Sequence, residues 1–169
     1  MVCMYKNYLW ATSRMKYVKK KHKQTPGCLF CNIAKDDPET PKKVLWKDRD
    51  MMVIMNIFPY NVGHLEVVPI RHVVWPEELS SQEYQKMWDT VKRTIVLLKK
   101  ALNPPAFNVG INMGGDLAGG SIMHLHVQIV PRYVRDSGFM EVTNSTKVMP
   151  QSIDETFKTL KKHVSVLGK

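Results

Sequence analysis

Two short stretches hold side chains whose types and spacing can do chemistry. In SIMHLHVQIVPRY (121–133), His124, His126 and Gln128 stand at alternate positions of an apolar run. In CLFC (28–31), Cys28 and Cys31 are separated by two residues. Along a strand, side chains alternate faces, and next-but-one side chains lie about 6.6 Å apart. Read as a strand, Met123, Leu125, Val127 and Ile129 point into a core, and Ile122, His124, His126, Gln128 and Val130 form the other face. Polar groups in mid-strand cost stability unless they are exposed or paired. A lone histidine there is commonly a satisfied group on a wet face. Two histidines and a glutamine in register, just after a Gly-Gly turn, point to a reacting row instead. A neutral imidazole is nucleophilic near pH 7. The C-x-x-C spacing fits a redox pair or half a zinc site, and no βαβ pattern surrounds it to favour the redox motif.

The totals bound what these groups can belong to. A chain of 169 residues with 44% hydrophobic content is long enough for one domain with a real core. No apolar run is long enough to span a bilayer. The first residues lack the apolar block and small-residue cleavage site of a secretory signal, so a cytoplasmic protein is expected. Three cysteines, an odd count, argue against a disulfide framework, and Cys3 reads as a plain thiol. The net charge is +10, and the first 24 residues carry seven basic side chains and no Asp or Glu. That segment is either a solvated tail or an attractor of polyanions such as nucleic acid or nucleotide phosphates.

The reacting groups need elements to hold them. VLWKD (44–48) and MMVIMN (51–56) read as a hairpin turning at Arg49 and Asp50. HLEVVPI (64–70) reads as a strand after a turn at Gly63, with Pro69 at its end or on an edge. Ser80 followed by Glu83 has capping-box spacing, and Tyr84, Met87, Trp88, Val91, Ile95, Leu98 and Leu102 then recur at helical spacing. FNVGINM (107–113) reads as a strand, and GGDLAGG (114–120) as a glycine-rich turn. A last helix starts near Ser152, with Ile153, Phe157, Leu160 and Val164 on its apolar face. Strands joined by short loops, with helices that do not alternate with them, predict α+β with an antiparallel sheet. No repeat or linker divides the chain, so residues 1–169 read as one domain with a basic extension at 1–24.

With these residues laid out, the chain resembles a known family. HLHVQIVPRY resembles the histidine triad (HIT) motif, His-φ-His-φ-His-φ-φ, with Gln128 in the third position. MNIFPYNVGHLEVVPIRHV is similar to the strand–turn–strand that precedes the helix in that superfamily, and FNVGINMGGDLAGGS to its segment before the histidines. LWATSRMKYV and FMEVTNSTKVMPQSIDETF look like one branch, that of the small diadenosine tetraphosphate phosphorylases. The resemblance covers nearly the whole chain. It implies a HIT-like fold: a five-stranded antiparallel sheet with two main helices.

The resemblance also implies roles. His126, the middle histidine, would attack the α-phosphorus of a nucleotide and give a nucleotidyl-histidine, with the backbone fixing its other ring nitrogen. Gln128 cannot protonate a leaving group as histidine can, yet it can donate a hydrogen bond to a phosphate oxygen. A nucleoside polyphosphate leaves as a stable anion without acid help, whereas an amine does not. The glutamine therefore resembles the His-φ-His-φ-Gln pattern of transferase branches and argues against a phosphoramidase. Gly119, Gly120 and Ser121 match the family's phosphate-binding turn, where backbone N–H groups can approach an anion. Asn56 falls where the family hydrogen-bonds ribose hydroxyls, although a strand-end turn residue explains it equally well. Asn112 is carried over to the phosphates or the nucleophile's surroundings, and Ile57 and Phe58 to the base. Zinc-bearing relatives complete a site with residues that match His72 and His124 here. With Cys28 and Cys31 these make a closed tetrahedral set, the kind that holds structural zinc. His64 would orient the site from behind, His22 and His163 would face solvent, and a homodimer is expected.

Three functions compete. The first is nucleotidyl transfer or hydrolysis of dinucleoside polyphosphates through His126. The second is a general HIT nucleotide hydrolase or nucleotidyltransferase with another donor. The third is a zinc-stabilised nucleic-acid-binding module, against which stands the lack of strand aromatics placed to stack bases.

Overall fold

The computed structural model describes residues 27–118, 122–134, 136, 143 and 148–168. The basic segment 1–24, with Cys3 and His22, and the Gly119–Gly120–Ser121 turn lie outside the described residues.

Five strands form one antiparallel sheet: β1 (Val44–Lys47), β2 (Met51–Met55), β3 (Leu65–Pro69), β4 (Ala106–Gly110) and β5 (Val127–Arg132). Their order across the sheet is β1-β2-β3-β5-β4, so β5 inserts between β3 and β4. The β1–β2 hairpin turns where expected, because Asp48 Oδ1 accepts the N–H groups of Asp50 and Met51, both at 2.8 Å. The turn into β3 needs glycine: Gly63 has φ +81°, and a Cβ there would lie 2.6 Å from Leu102.

Among the described residues, the helices that flank the sheet are α1 (Leu29–Ala34), α2 (Ser81–Leu102) and α3 (Ile153–Lys161). Both predicted capping boxes form, Ser80 with Glu83 and Ser152 with Glu155. Helix α2 lies on the face made by Met51, Val53, Met55, Leu65, Val67, Val127 and Ile129. The short α1 covers the other face through Phe30 and Ile33, against Met52, Ile54 and Val68. Alternation along β3 and β5 then places Glu66 and Gln128 on the α1 side.

Three expectations are corrected. The buried stripe of α2 is Met87, Thr90, Val91, Thr94, Leu97 and Leu98, while Tyr84 and Trp88 are exposed. Thr90 and Thr94 can be buried because their hydroxyls donate to the carbonyls of Lys86 and Thr90, each at 2.8 Å. β4 ends at Gly110, leaving Asn112 in the loop beyond it. β5 starts at Val127, so His124 and His126 precede the strand, and Met123 is exposed rather than in the core. The segment before β5 is held elsewhere: Leu125 N–H donates to the Val73 carbonyl at 2.7 Å, and the His124 ring bonds the Pro69 carbonyl. These bonds pull both imidazoles inward, where His124 and His126 are buried instead of lining a wet face.

Candidate active site and metal centre

The four expected ligands converge. Cys28 caps α1, Cys31 sits in its first turn, His72 follows β3, and His124 precedes β5. Cys28 Sγ lies 3.3 Å from His124 Nδ1, Cys31 Sγ lies 3.3 Å from His72 Nδ1 and 3.7 Å from His124 Nδ1. All four donor atoms lie within 4.8 Å of one another. Metal–sulfur bonds of about 2.3 Å and metal–nitrogen bonds of about 2.0–2.1 Å in a tetrahedron set sulfur and nitrogen roughly 3.5 Å apart, so the donor set fits one tetrahedral ion.

The surroundings favour the ligand state of His124. His124 Nε2 lies 2.9 Å from the Pro69 carbonyl. A carbonyl only accepts, so Nε2 carries the proton and Nδ1 turns its lone pair toward the cysteines. Burial, chiefly, pushes the His124 imidazole down to about 4, with the nearby His72 and His126 charges adding to it and the Pro69 carbonyl opposing. Burial first, and Cys28 second, push the Cys31 thiol up to about 11, so a bound cation would have to displace its proton.

His126 is oriented by the same rule. Its Nδ1 lies 2.8 Å from the His124 carbonyl, so Nδ1 donates and Nε2 keeps its lone pair. Burial, the main cause, lowers its pKa and keeps the ring neutral at pH 7, although the backbone bond opposes that shift. Phe30 of α1 meets both imidazoles edge-on, with ring centroids 5.6 Å from His124 and 5.1 Å from His126. One aromatic side chain thus packs the candidate nucleophile against the candidate metal ligand.

The remaining residues fall into place around the sheet. Gln128 lies half-buried on β5, between Glu66 on β3 and Gly110 on β4. Asn56 directly follows β2. Its Nδ2 donates to Glu66 Oε1 at 2.8 Å, and its Oδ1 accepts the Phe58 N–H at 2.7 Å, the bond of a turn residue. Ile57 is half-buried and Phe58 exposed. His64 is fully buried and stacked on Tyr60, whose N–H donates to His64 Nδ1 at 3.2 Å. Among the described residues, His64 Nε2 finds no partner. Burial, then the charge of His126, push the His64 ring down to about 4. Asn112 is half-buried in its loop, and His163 is half-buried at the end of α3 rather than out in solvent.

Sequence reasoning passes over Glu66. It is the one acid in the apolar run HLEVVPI, and it is buried, 6% exposed. The available signal was period two: position 66 shares a strand face with His64.

The fold and these residues define a class. A HIT domain model matches residues 37–135, and this chain belongs to the HIT family. It is 31% identical over 158 residues to the AP-4-A phosphorylase of Mycobacterium tuberculosis (strain H37Rv), covering 90% of this chain and 81% of that one. It is 34% identical over 134 residues to an uncharacterised HIT-like protein of Methanocaldococcus jannaschii, covering 79% of this chain and 98% of that one. In fold it matches a zinc-bound histidine triad family protein from Mycobacterium smegmatis, with TM-score 0.66 and 22% identity over 84% of this chain and 96% of that one. Among the described residues, no helix is long and apolar enough to cross a membrane.

Proposed function

We propose that this protein transfers a nucleotidyl group from a dinucleoside polyphosphate to inorganic phosphate through His126. The observation that carries this reading is the 2.8 Å bond from His126 Nδ1 to the His124 carbonyl. It presents a neutral imidazole with its Nε2 lone pair free to attack. In the first step Nε2 bonds to the α-phosphorus of diadenosine tetraphosphate, the phosphorus–oxygen bond breaks, and ATP leaves with the electron pair. In the second step an oxygen of phosphate bonds to the same phosphorus, the phosphorus–nitrogen bond breaks, and ADP leaves. His126 loses no proton in attacking and returns to its neutral form.

Gln128 supports a transferase over a phosphoramidase, because it offers a hydrogen bond and no proton to the leaving group. The name of the mycobacterial relative, an AP-4-A phosphorylase, points the same way. Asn56 and Asn112 are assigned to the ribose and the phosphates, and Gly119, Gly120 and Ser121 to the phosphates through their N–H groups. Cys28, Cys31, His72 and His124 would hold zinc, which supplies rigidity by tying α1 to the segment that carries His126. A cytoplasmic homodimer completes this reading.

Product analysis tests it. Diadenosine tetraphosphate incubated with enzyme and phosphate is expected to yield ADP plus ATP, at a rate set by phosphate. AMP plus ATP, independent of phosphate, would make water the acceptor. No turnover with any dinucleoside polyphosphate would overturn the reading.

A further inference from the structure

Glu66 is a buried acid inside a sheet, beside the groups assigned to catalysis. Its neighbours across the sheet are Ile54 on β2 and Gln128 on β5, and Gln128 in turn faces Gly110 on β4. The row Ile54–Glu66–Gln128–Gly110 therefore crosses four strands on the α1 face. No described lysine or arginine is paired with the carboxyl; its hydrogen-bond partner is the Asn56 amide. Burying a carboxyl without a cation is costly, so a ligand-directed role is the economical explanation.

The position relative to His126 says which part of a ligand it meets. In the β3–β5 pairing Val67 faces Val127 and Glu66 faces Gln128. His126 lies two residues before Gln128 along the chain, in the segment that leaves the sheet ahead of β5. The carboxyl is thus not beside the reacting nitrogen. It lies on the Asn56 side, where it accepts from the Asn56 amide. A nucleotide with its phosphorus at His126 Nε2 carries its ribose hydroxyls a few bonds from the reacting atom.

The donor and acceptor pattern says what chemistry is read. Asn56 Oδ1 is engaged by the Phe58 N–H, and one Nδ2 hydrogen by Glu66 Oε1. Asn56 then offers a donor, its second Nδ2 hydrogen, and Glu66 offers carboxyl acceptors. A vicinal diol needs that combination: one hydroxyl donates to a carboxyl oxygen while the other accepts from an amide.

We propose that Glu66 is a specificity-determining residue that reads the ribose hydroxyls of the transferred nucleotide, together with Asn56. This rests on the nucleotidyl-transfer reading for the placement of the phosphorus at His126. Burial pushes the Glu66 carboxyl up to about 7, so above neutral pH the acceptor is charged and its hydrogen bond to a hydroxyl is strengthened.

The test is binding, which does not depend on turnover. AMP, 2′-deoxy-AMP and 3′-deoxy-AMP are titrated calorimetrically into wild type, Glu66→Gln and Glu66→Met at pH 8. Wild type is expected to bind AMP at least about tenfold tighter than the weaker deoxy analogue, the ratio a charge-assisted hydrogen bond supports. In Glu66→Met the ratio should fall to about one, with the deoxy analogues binding as in wild type. Glu66→Gln, close in shape and neutral, should keep part of the ratio, and it serves as the second variant if Glu66→Met does not fold. A wild-type ratio that survives in both folded variants overturns the inference, as does an equal loss for all three nucleotides. Quenching wild type with labelled diadenosine tetraphosphate separates this from the transfer reading. Absence of label on His126 alongside a Glu66-dependent ratio removes the mechanism and keeps the ribose contact. Label on His126 with no Glu66-dependent ratio does the reverse.

Discussion

The ring of His126 hangs from the backbone of His124: the Nδ1–H of one donates to the carbonyl of the other at 2.8 Å. His124 is in turn pinned by its Nε2 bond to Pro69 and points Nδ1 at Cys28 and Cys31. The proposed nucleophile is therefore two residues, and one hydrogen bond, from the candidate metal centre.

Replacing His126 with Ala or Asn should abolish turnover, since the substitutes have no nucleophilic nitrogen. The fold should persist. Nucleotide binding should change little, because the sheet and Asn56 are untouched. The phosphorus–nitrogen bond of a phosphoramidate is acid-labile, so the reaction is quenched and label transfer followed under alkaline conditions. More than a trace of activity in His126→Ala would sink the covalent mechanism.

Metal analysis of protein prepared without chelators should give about one zinc per chain, as expected for two thiolates and two imidazoles within bonding reach. Loading the metal-free protein should release protons into a weak buffer, because the Cys31 thiol is protonated at neutral pH. Cys28→Ser and His72→Ala should lose the ion and melt at lower temperature. Their residual turnover should fall through disorder around His124. A chain that binds no zinc would leave the convergence of these four side chains unexplained.

Gln128 has a leaving-group signature. Wild type should cleave diadenosine tetraphosphate far faster than an adenosine phosphoramidate, whose amine needs a proton to depart. Gln128→His should raise the phosphoramidate rate more than the polyphosphate rate, by up to roughly 10²–10⁴-fold if the new imidazole reaches the leaving atom. Equal rates on both donors in wild type would mean that another group supplies the proton.

Glu66 should leave a mark on the pH dependence of stability. Its folded pKa is pushed up to about 7 by burial, against an ordinary carboxyl near 4.5. The folded state holds the proton over that window and the unfolded state does not. The stabilisation is complete below the unfolded value and is lost as pH rises through about 7. Glu66→Gln cannot ionise, so its stability relative to wild type should grow between about pH 4.5 and 7, by on the order of 3 kcal/mol in the dry limit. Parallel denaturant titrations of both proteins read this directly. Curves that stay parallel across the window would show a carboxyl with an ordinary pKa.

Much of the molecule is legible in the chain alone. The hairpin at 44–56, the Gly63 turn, both capping boxes and the long amphipathic helix follow from local patterns, which depend on neighbours a few residues away. Residue types also delimited the chemistry, since Cys28, Cys31, His72 and His124 are soft nitrogen and sulfur donors wherever they meet. Tertiary structure decided what those types face. Alternation placed His124 and His126 on one strand face, yet long-range bonds to Val73 and Pro69 keep that segment out of the sheet and bury both rings. The helix stripe turned toward Thr90 and Thr94 because intrahelical bonds satisfy their hydroxyls, which no hydrophobicity pattern records. Glu66 joins the proposed site only because β5 inserts between β3 and β4 and sets Gln128 beside it, a pairing across some 60 residues of chain. Local spacing encodes the elements and the available chemistry; the partners of a buried charge are set by strand order, which no short stretch of sequence contains.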